Sequence, residues 1–163
     1  MSNAYADIPL ATGSRFAGIY LTKIVPREWL YDAILVDYTT GKVITAVTLL
    51  SGKNFLQINT VPESSDYTEL QKNAEAGDYF ELKLTGIITA YGPAAQLALE
   101  TYRYHEWVVI FIDQDKNLRI AGNKEQGMRF GADFKEIGKN GGNTSYGMSL
   151  IMESPCRAPF YSP

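Results

Sequence analysis

Two stretches of period-two alternation, with a ten-residue gap between them, constrain this chain more than any other feature. Met128, Phe130, Ala132 and Phe134 alternate with Arg129, Gly131, Asp133 and Lys135. After the gap "EIGKNGGNTS" the apolar set returns as Tyr146, Met148, Leu150 and Met152. Side chains of a strand point alternately to opposite faces, so each stretch gives one apolar and one polar face only if it is extended. Two such segments of similar length read as a long hairpin, with the glycines of the gap taking positive-φ positions. An apolar sheet face must be covered, which demands more strands or a packed helix.

The rest of the chain supplies them. Eleven tyrosines, seven phenylalanines and many Val, Ile and Thr residues favour a pleated surface. Phe16 to Lys23 reads as a first strand, "VPREWLYDA" as an irregular segment or one helical turn, and Thr39 to Gly41 as a turn leading into a strand through Leu49. "SGK" at 51 to 53 is a turn signal, so "NFLQINTV" is expected to pair back on that strand as a hairpin. The polar segment Pro62 to Ala76 reads as an exposed edge strand or a short helix, and its periodicity leaves both open. Tyr79 to Ala90 is a half-solvated strand in which Gly86 marks a bulge or a close approach by another backbone. "GPAAQLALETYRYH" is the one helix, expected over residues 93 to 104, with Ala95, Leu99 and Tyr102 on one face. "EWVVIFI" is a central strand apolar on both faces, and "DQDKN" turns it into Leu118 to Ala121.

The predicted architecture is a single mainly-β domain over residues 16 to 154, a β-sandwich or a curved, barrel-like sheet of about eight strands, with one short α-helix packed against it. Residues 1 to 15 read as a flexible tail. Residues 155 to 163 read as a second tail, because Pro155, Pro159 and Pro163 cannot sustain a ladder.

Bulk properties exclude several classes. A chain of 163 residues suits one core, and 45% hydrophobic with 20% charged residues is ordinary globular usage. The longest apolar run, Trp107 to Ile112, has six residues, far below the roughly 20 that span a bilayer. No basic residue precedes Arg15 and no signal-like apolar stretch follows, so export is not expected. The single Cys156 fits a reducing cytoplasm. A net charge of −3 argues against tight nucleic-acid binding, which needs clustered Lys and Arg.

Candidate chemistry is sparse. Gly138-Lys139 lacks the spacing, the following Ser or Thr and the helix of a phosphate loop. Asp113, Asp115 and Asn117 match the first positions of a calcium loop, but Leu118 stands where glycine is needed and Lys124 where a bidentate Glu is needed. His105 is the only histidine, so no multi-histidine metal site exists, and pairing with Cys156 is disfavoured because that residue lies between prolines in a predicted tail with no helix N-terminus to activate a thiolate. Asp66, Glu69, Glu75, Asp78 and Glu81 form an acidic run that would line a polysaccharide groove or a solvated face. Trp107 belongs to the core, whereas Trp29, between Glu28 and Tyr31, reads as an interface anchor. No catalytic residue, cofactor or metal is expected.

The succession "AEAGDYFELKLTGIITAYGP", a short helix, "EWVVIFIDQDKNLRIAGNKEQGMRFGADF", a Gly- and Asn-bearing gap and "SYGMSLIMESPCRAPFY" resembles small uncharacterised structural proteins of phage and prophage tail-gene clusters. The likeness spans roughly residues 62 to 161 and rests on element order and the "L-R-I-x-G-N", "M-R-F" and "Y-G-M-S-L" stretches. It implies a virion component, tail-tube-like or tail-associated, made in the bacterial cytoplasm and acting by self-assembly with itself and other virion proteins. Lys139, Asn140, Gly141, Gly142 and Asn143 of the glycine-rich loop, together with Trp29, are the expected inter-subunit contacts. The alternatives are a sandwich module binding carbohydrate or peptide, and a small enzyme built around His105.

Overall fold

The computed structural model describes residues 22–61, 64–89, 92–113, 117–137 and 144–162. At its centre lies β7 (Glu106–Ile112), in which Trp107 to Phe111 are all buried. Strand geometry sends Trp107, Val109 and Phe111 to one face and Val108 and Ile110 to the other, and each set joins a different apolar cluster.

One edge of β7 pairs with β1 (Thr22–Pro26), whose outer side carries β4 (Leu56–Ile58). Its other edge carries two strands in tandem. β8 (Leu118–Ala121) pairs with Val109–Ile112, and β9 (Met128–Ile137) with Glu106–Trp107. The sheet continues through β10 (Thr144–Ser154) and β6 (Gly77–Thr89) to β5 (Asp66–Ala74), giving the order β4-β1-β7-β9-β10-β6-β5 with β8 beside β7. Every neighbouring pair is antiparallel. The expected β9–β10 hairpin is present, with a register shift between Gly147 and Ser149.

This is one open, strongly curled sheet. β5 and β7 are separated by three strands, yet Tyr67 of β5 lies 4.4 Å, ring to ring, from Phe111 of β7. The chain after β4 reaches across in the same way, Val61 N–H donating to the Ile87 carbonyl at 2.7 Å. Gly86 permits this crossing: a Cβ there would stand 2.7 Å from Thr60 Cγ2. Of the two readings of that glycine, close approach by another segment is the correct one, made by the Thr60 and Ser65 side chains rather than by backbone, and the β6–β10 ladder runs through it unshifted. Helix α1 (Gly92–Tyr102) packs Leu99 and Tyr102 into the larger core, where Tyr102 meets Trp107 and Phe130 at 4.6 and 5.5 Å. The Trp107 indole N–H donates to the Tyr102 carbonyl at 2.8 Å.

A second layer covers the other face of β1, β7 and β8. A short 3-10 turn (Arg27–Trp29) leads into an antiparallel ribbon formed by residues 29–37 and 42–50. Its regular part is β2 (Val36–Asp37) with β3 (Lys42–Val43). At the far end Leu30 bridges Leu49, and Tyr31 N–H donates to the Thr48 carbonyl. Val43, Val47 and Leu49 pack on Val25, Ile34, Val108, Ile110 and Ile120.

Here the sequence expectation fails. "NFLQINTV" does not pair with 42–49; β4 adds to β1 and buries Leu56 and Ile58 with Ile24 in the larger core, while residues 42–50 serve the smaller one. A local hairpin would have placed both sets in one layer. The C-terminal segment is also no free tail. Prolines end β10 at Ser154, but the Pro159 carbonyl accepts from Ile120 N–H, Tyr161 N–H donates to Leu118, and Phe160 exchanges bonds with Gly41 and Val43. Residues 155–161 form an extended strap between β8 and β3.

Candidate interaction surfaces

The most organised polar group in the fold lies beneath that strap. Glu69 of β5 has a side chain only 9% exposed. Its Oε1 accepts from the Tyr67 hydroxyl (2.8 Å), the Arg119 guanidinium (3.2 Å) and Ala158 N–H (3.0 Å), and its Oε2 accepts from Arg157 (3.2 Å). Arg119 also binds Asp113 at 2.8 Å and covers the Phe160 ring at 4.4 Å. Burial first, then the Glu69 carboxylate, pushes the Tyr67 hydroxyl well above its ordinary range. Each charge is matched, so the group holds an edge strand, β8 and the strap together; it offers no free acid or base. Asp113 additionally accepts from Asn117 N–H at 2.8 Å, which makes "DQDKN" a self-bonded turn at its described ends.

A second clamp explains the "L-R-I-x-G-N" stretch. Between β8 and β9 the chain makes an excursion in which Asn123 N–H donates to the Gln126 carbonyl at 2.6 Å. Gly122 enters it at φ +98, and Gly127 leaves it where a Cβ would stand 2.8 Å from Trp107 N. The Asn123 side chain bonds both backbone groups of Ile34 at 2.9 Å, and Lys124 Nζ reaches the Tyr31 carbonyl at 2.7 Å. The excursion thus fastens the second layer to the sheet. Sequence reasoning missed this role, although a Gly-Asn pair after a strand signals a special turn.

The other singled-out residues fall apart as a site. His105 Nδ1 lies 3.6 Å from Glu28 Oε1 on the surface, whereas Cys156 Sγ lies 3.8 Å from Ser154 Oγ. Most of the acidic run is occupied: Glu81 binds Lys72 at 2.6 Å, Asp78 accepts from Gln71, and Asp66 from its neighbour's N–H, while Glu75 is exposed. A groove of about 510 Å3 over β9 and β10 is lined instead by Glu106, Arg129, Phe130, Ile151 and Glu153. Among the described residues no three or more His, Cys, Asp or Glu side chains are grouped to hold a metal, and no helix is long and apolar enough to cross a membrane.

Of the expected contacts, Lys139, Asn140, Gly141, Gly142 and Asn143 lie outside the described residues. Trp29 requires a correction. It is 6% exposed, packed in the smaller core beneath Lys53, whose Nζ stands 4.6 Å from the ring centroid. An indole committed to the interior leaves almost no area for a second subunit. What the surface does present is the outer edge of β5, nine residues long with Leu70 exposed. It also presents exposed Tyr31, Leu35, Ile44 and Leu50 on the ribbon. No family model, curated protein or solved structure matches this chain.

Proposed function

We propose that this chain is a non-catalytic structural protein that works by self-association, as a tail-associated virion component of a phage or prophage. The observation that carries the reading is the open sheet: β5 ends it with a nine-residue edge that no described strand pairs with. Long edges are templates for further pairing and are ordinarily guarded by outward lysines. Here Lys72 is turned onto Glu81 and Leu70 is exposed. The polar groups described above spend their charge on fastening the scaffold, which suits a building block better than an enzyme. The phage context rests on the resemblance of element order, and a net charge of −3 suits a conduit along which DNA slides.

In this reading the edge of β5 and the 138–143 loop, with Lys139 and Asn140, meet neighbouring subunits. Two variants test it: deletion of residues 138–143, and Leu70→Lys on the edge. Each is expected to stay folded and to lose association by solution mass and negative-stain microscopy. Unchanged assembly of both variants would remove the support. A binding module for carbohydrate or peptide is the second reading, favoured by the groove over β9 and β10, whose volume is that of ordinary ligand sites. Oligosaccharide-induced NMR shifts centred on Phe130 and Ile151 would select it.

A further inference from the structure

Residues 43–50, "VITAVTLL", are apolar on both faces of the ribbon, a pattern found where strands are covered on both sides. Val43, Val47 and Leu49 face the core. Ile44, Ala46, Thr48 and Leu50 alternate with them and are exposed, as are Tyr31, Ala33 and Leu35 on the opposing strand. Ile44 N–H donates to the Leu35 carbonyl and Tyr31 N–H to that of Thr48, so the outward side chains are cross-strand neighbours forming one strip. Tyr31 is 61%, Leu35 53%, Ile44 65% and Leu50 40% exposed. None of the seven is charged; Asp32, between Tyr31 and Ala33, is exposed beside them, and Asp37 and Lys42 are cross-strand partners at the turn end.

We propose that this strip is a self-association surface, on which a second copy of the chain packs its own ribbon about a two-fold axis. The proposal rests on the assembly reading above and names a surface for it separate from the β5 edge. Area supports the choice of occupant. The seven outward side chains leave roughly 600 Å2 per copy, so two strips together bury roughly 1,200 Å2, at the lower bound for a specific interface. A two-fold contact needs the same patch on both partners, and seven uncharged side chains bordered by charges of both signs, Asp32, Asp37 and Lys42, meet that need. A contiguous apolar patch of this size is at the upper end for a monomer surface.

The test is sedimentation velocity on the full chain from about 1 μM to about 1 mM, a range that covers weak and moderate self-association. Wild type runs beside Leu35→Glu/Leu50→Glu, two outward positions that are not cross-strand neighbours, and beside Leu70→Lys, with urea midpoints as the fold control. The double variant is expected to keep its midpoint and to weaken dimerisation at least about 100-fold, because two carboxylates replace buried aliphatic groups. If wild type and the double variant associate equally while Leu70→Lys does not, the strip is overturned and the assembly reading survives. If wild type is monomeric throughout, both fall. A double variant that unfolds more easily at unchanged mass assigns the strip to a segment of the same chain and overturns the proposal.

Discussion

Glu69→Ala removes a carboxylate that accepts from Tyr67, Arg119, Arg157 and Ala158 N–H. The contributions are unequal. Arg157 is 60% exposed, so its pair adds close to nothing, as surface pairs do. Arg119 keeps Asp113 at 2.8 Å and loses only part of its support. The cost concentrates in the Tyr67 hydroxyl and the Ala158 N–H, each left without its acceptor at about 1–3 kcal/mol. Water reaching the strap reduces the second of these, so the total is about 3 kcal/mol. With a urea m-value of about 2 kcal/mol/M, the midpoint should fall by roughly 1.5 M. A second readout is local: the strap loses its tie at Ala158, so trypsin should cut after Arg157 several-fold faster. Glu81→Ala, which breaks only the half-exposed pair with Lys72, is the control and should cost below about 1 kcal/mol. A Glu69→Ala protein within about 0.5 kcal/mol of wild type would refute the argument that this group fastens the strap.

Three further outcomes follow from the same structure. The raised Tyr67 pKa means that the folded state keeps this proton above the ordinary tyrosine value near 10. Stability from the protonated hydroxyl is therefore complete below pH 10 and is lost as pH rises beyond it, and Tyr67→Phe should flatten that alkaline decline in pH-dependent urea midpoints. Trp29→Ala should cost about 3–4 kcal/mol by cavity formation and leave any association of the remaining folded protein unchanged, measured by calorimetry and solution mass. Gly127→Ala should destabilise by at least about 2 kcal/mol, since its Cβ would meet the Trp107 backbone; Gly52→Ala, at φ +76 in open space, should cost only about 1 kcal/mol.

The sequence made the regular part of the fold legible and the second layer illegible, for a physical reason. Periodicity reports which residues share a face, so β9, β10, β6, β7 and the helix were readable from Met128–Phe134, Tyr146–Met152, Phe80–Leu84, "WVVIFI" and Ala95–Tyr102. It says nothing about which strand a segment joins. Leu56 and Ile58 looked like partners of Val47 and Leu49 because a turn stood between them, whereas burial on opposite sides of the sheet separated them. Trp29 looked exposed because charged and polar residues flank it, but a 3-10 turn aims it inward. The prolines of residues 155–163 excluded a ladder and did not exclude docking through carbonyls, as Pro159 shows. Glu69 looked like one acid in a run of five, and only the three-dimensional approach of Arg119 and the strap set it apart.

The claim on which the rest depends is that apolar surface left over after two cores are filled serves contact between copies. Light scattering coupled to size exclusion, over a concentration series of the full chain, measures it most directly. The account predicts a mass rising from 18.1 kDa toward the dimer and beyond as concentration grows. A constant 18.1 kDa at every concentration would contradict it.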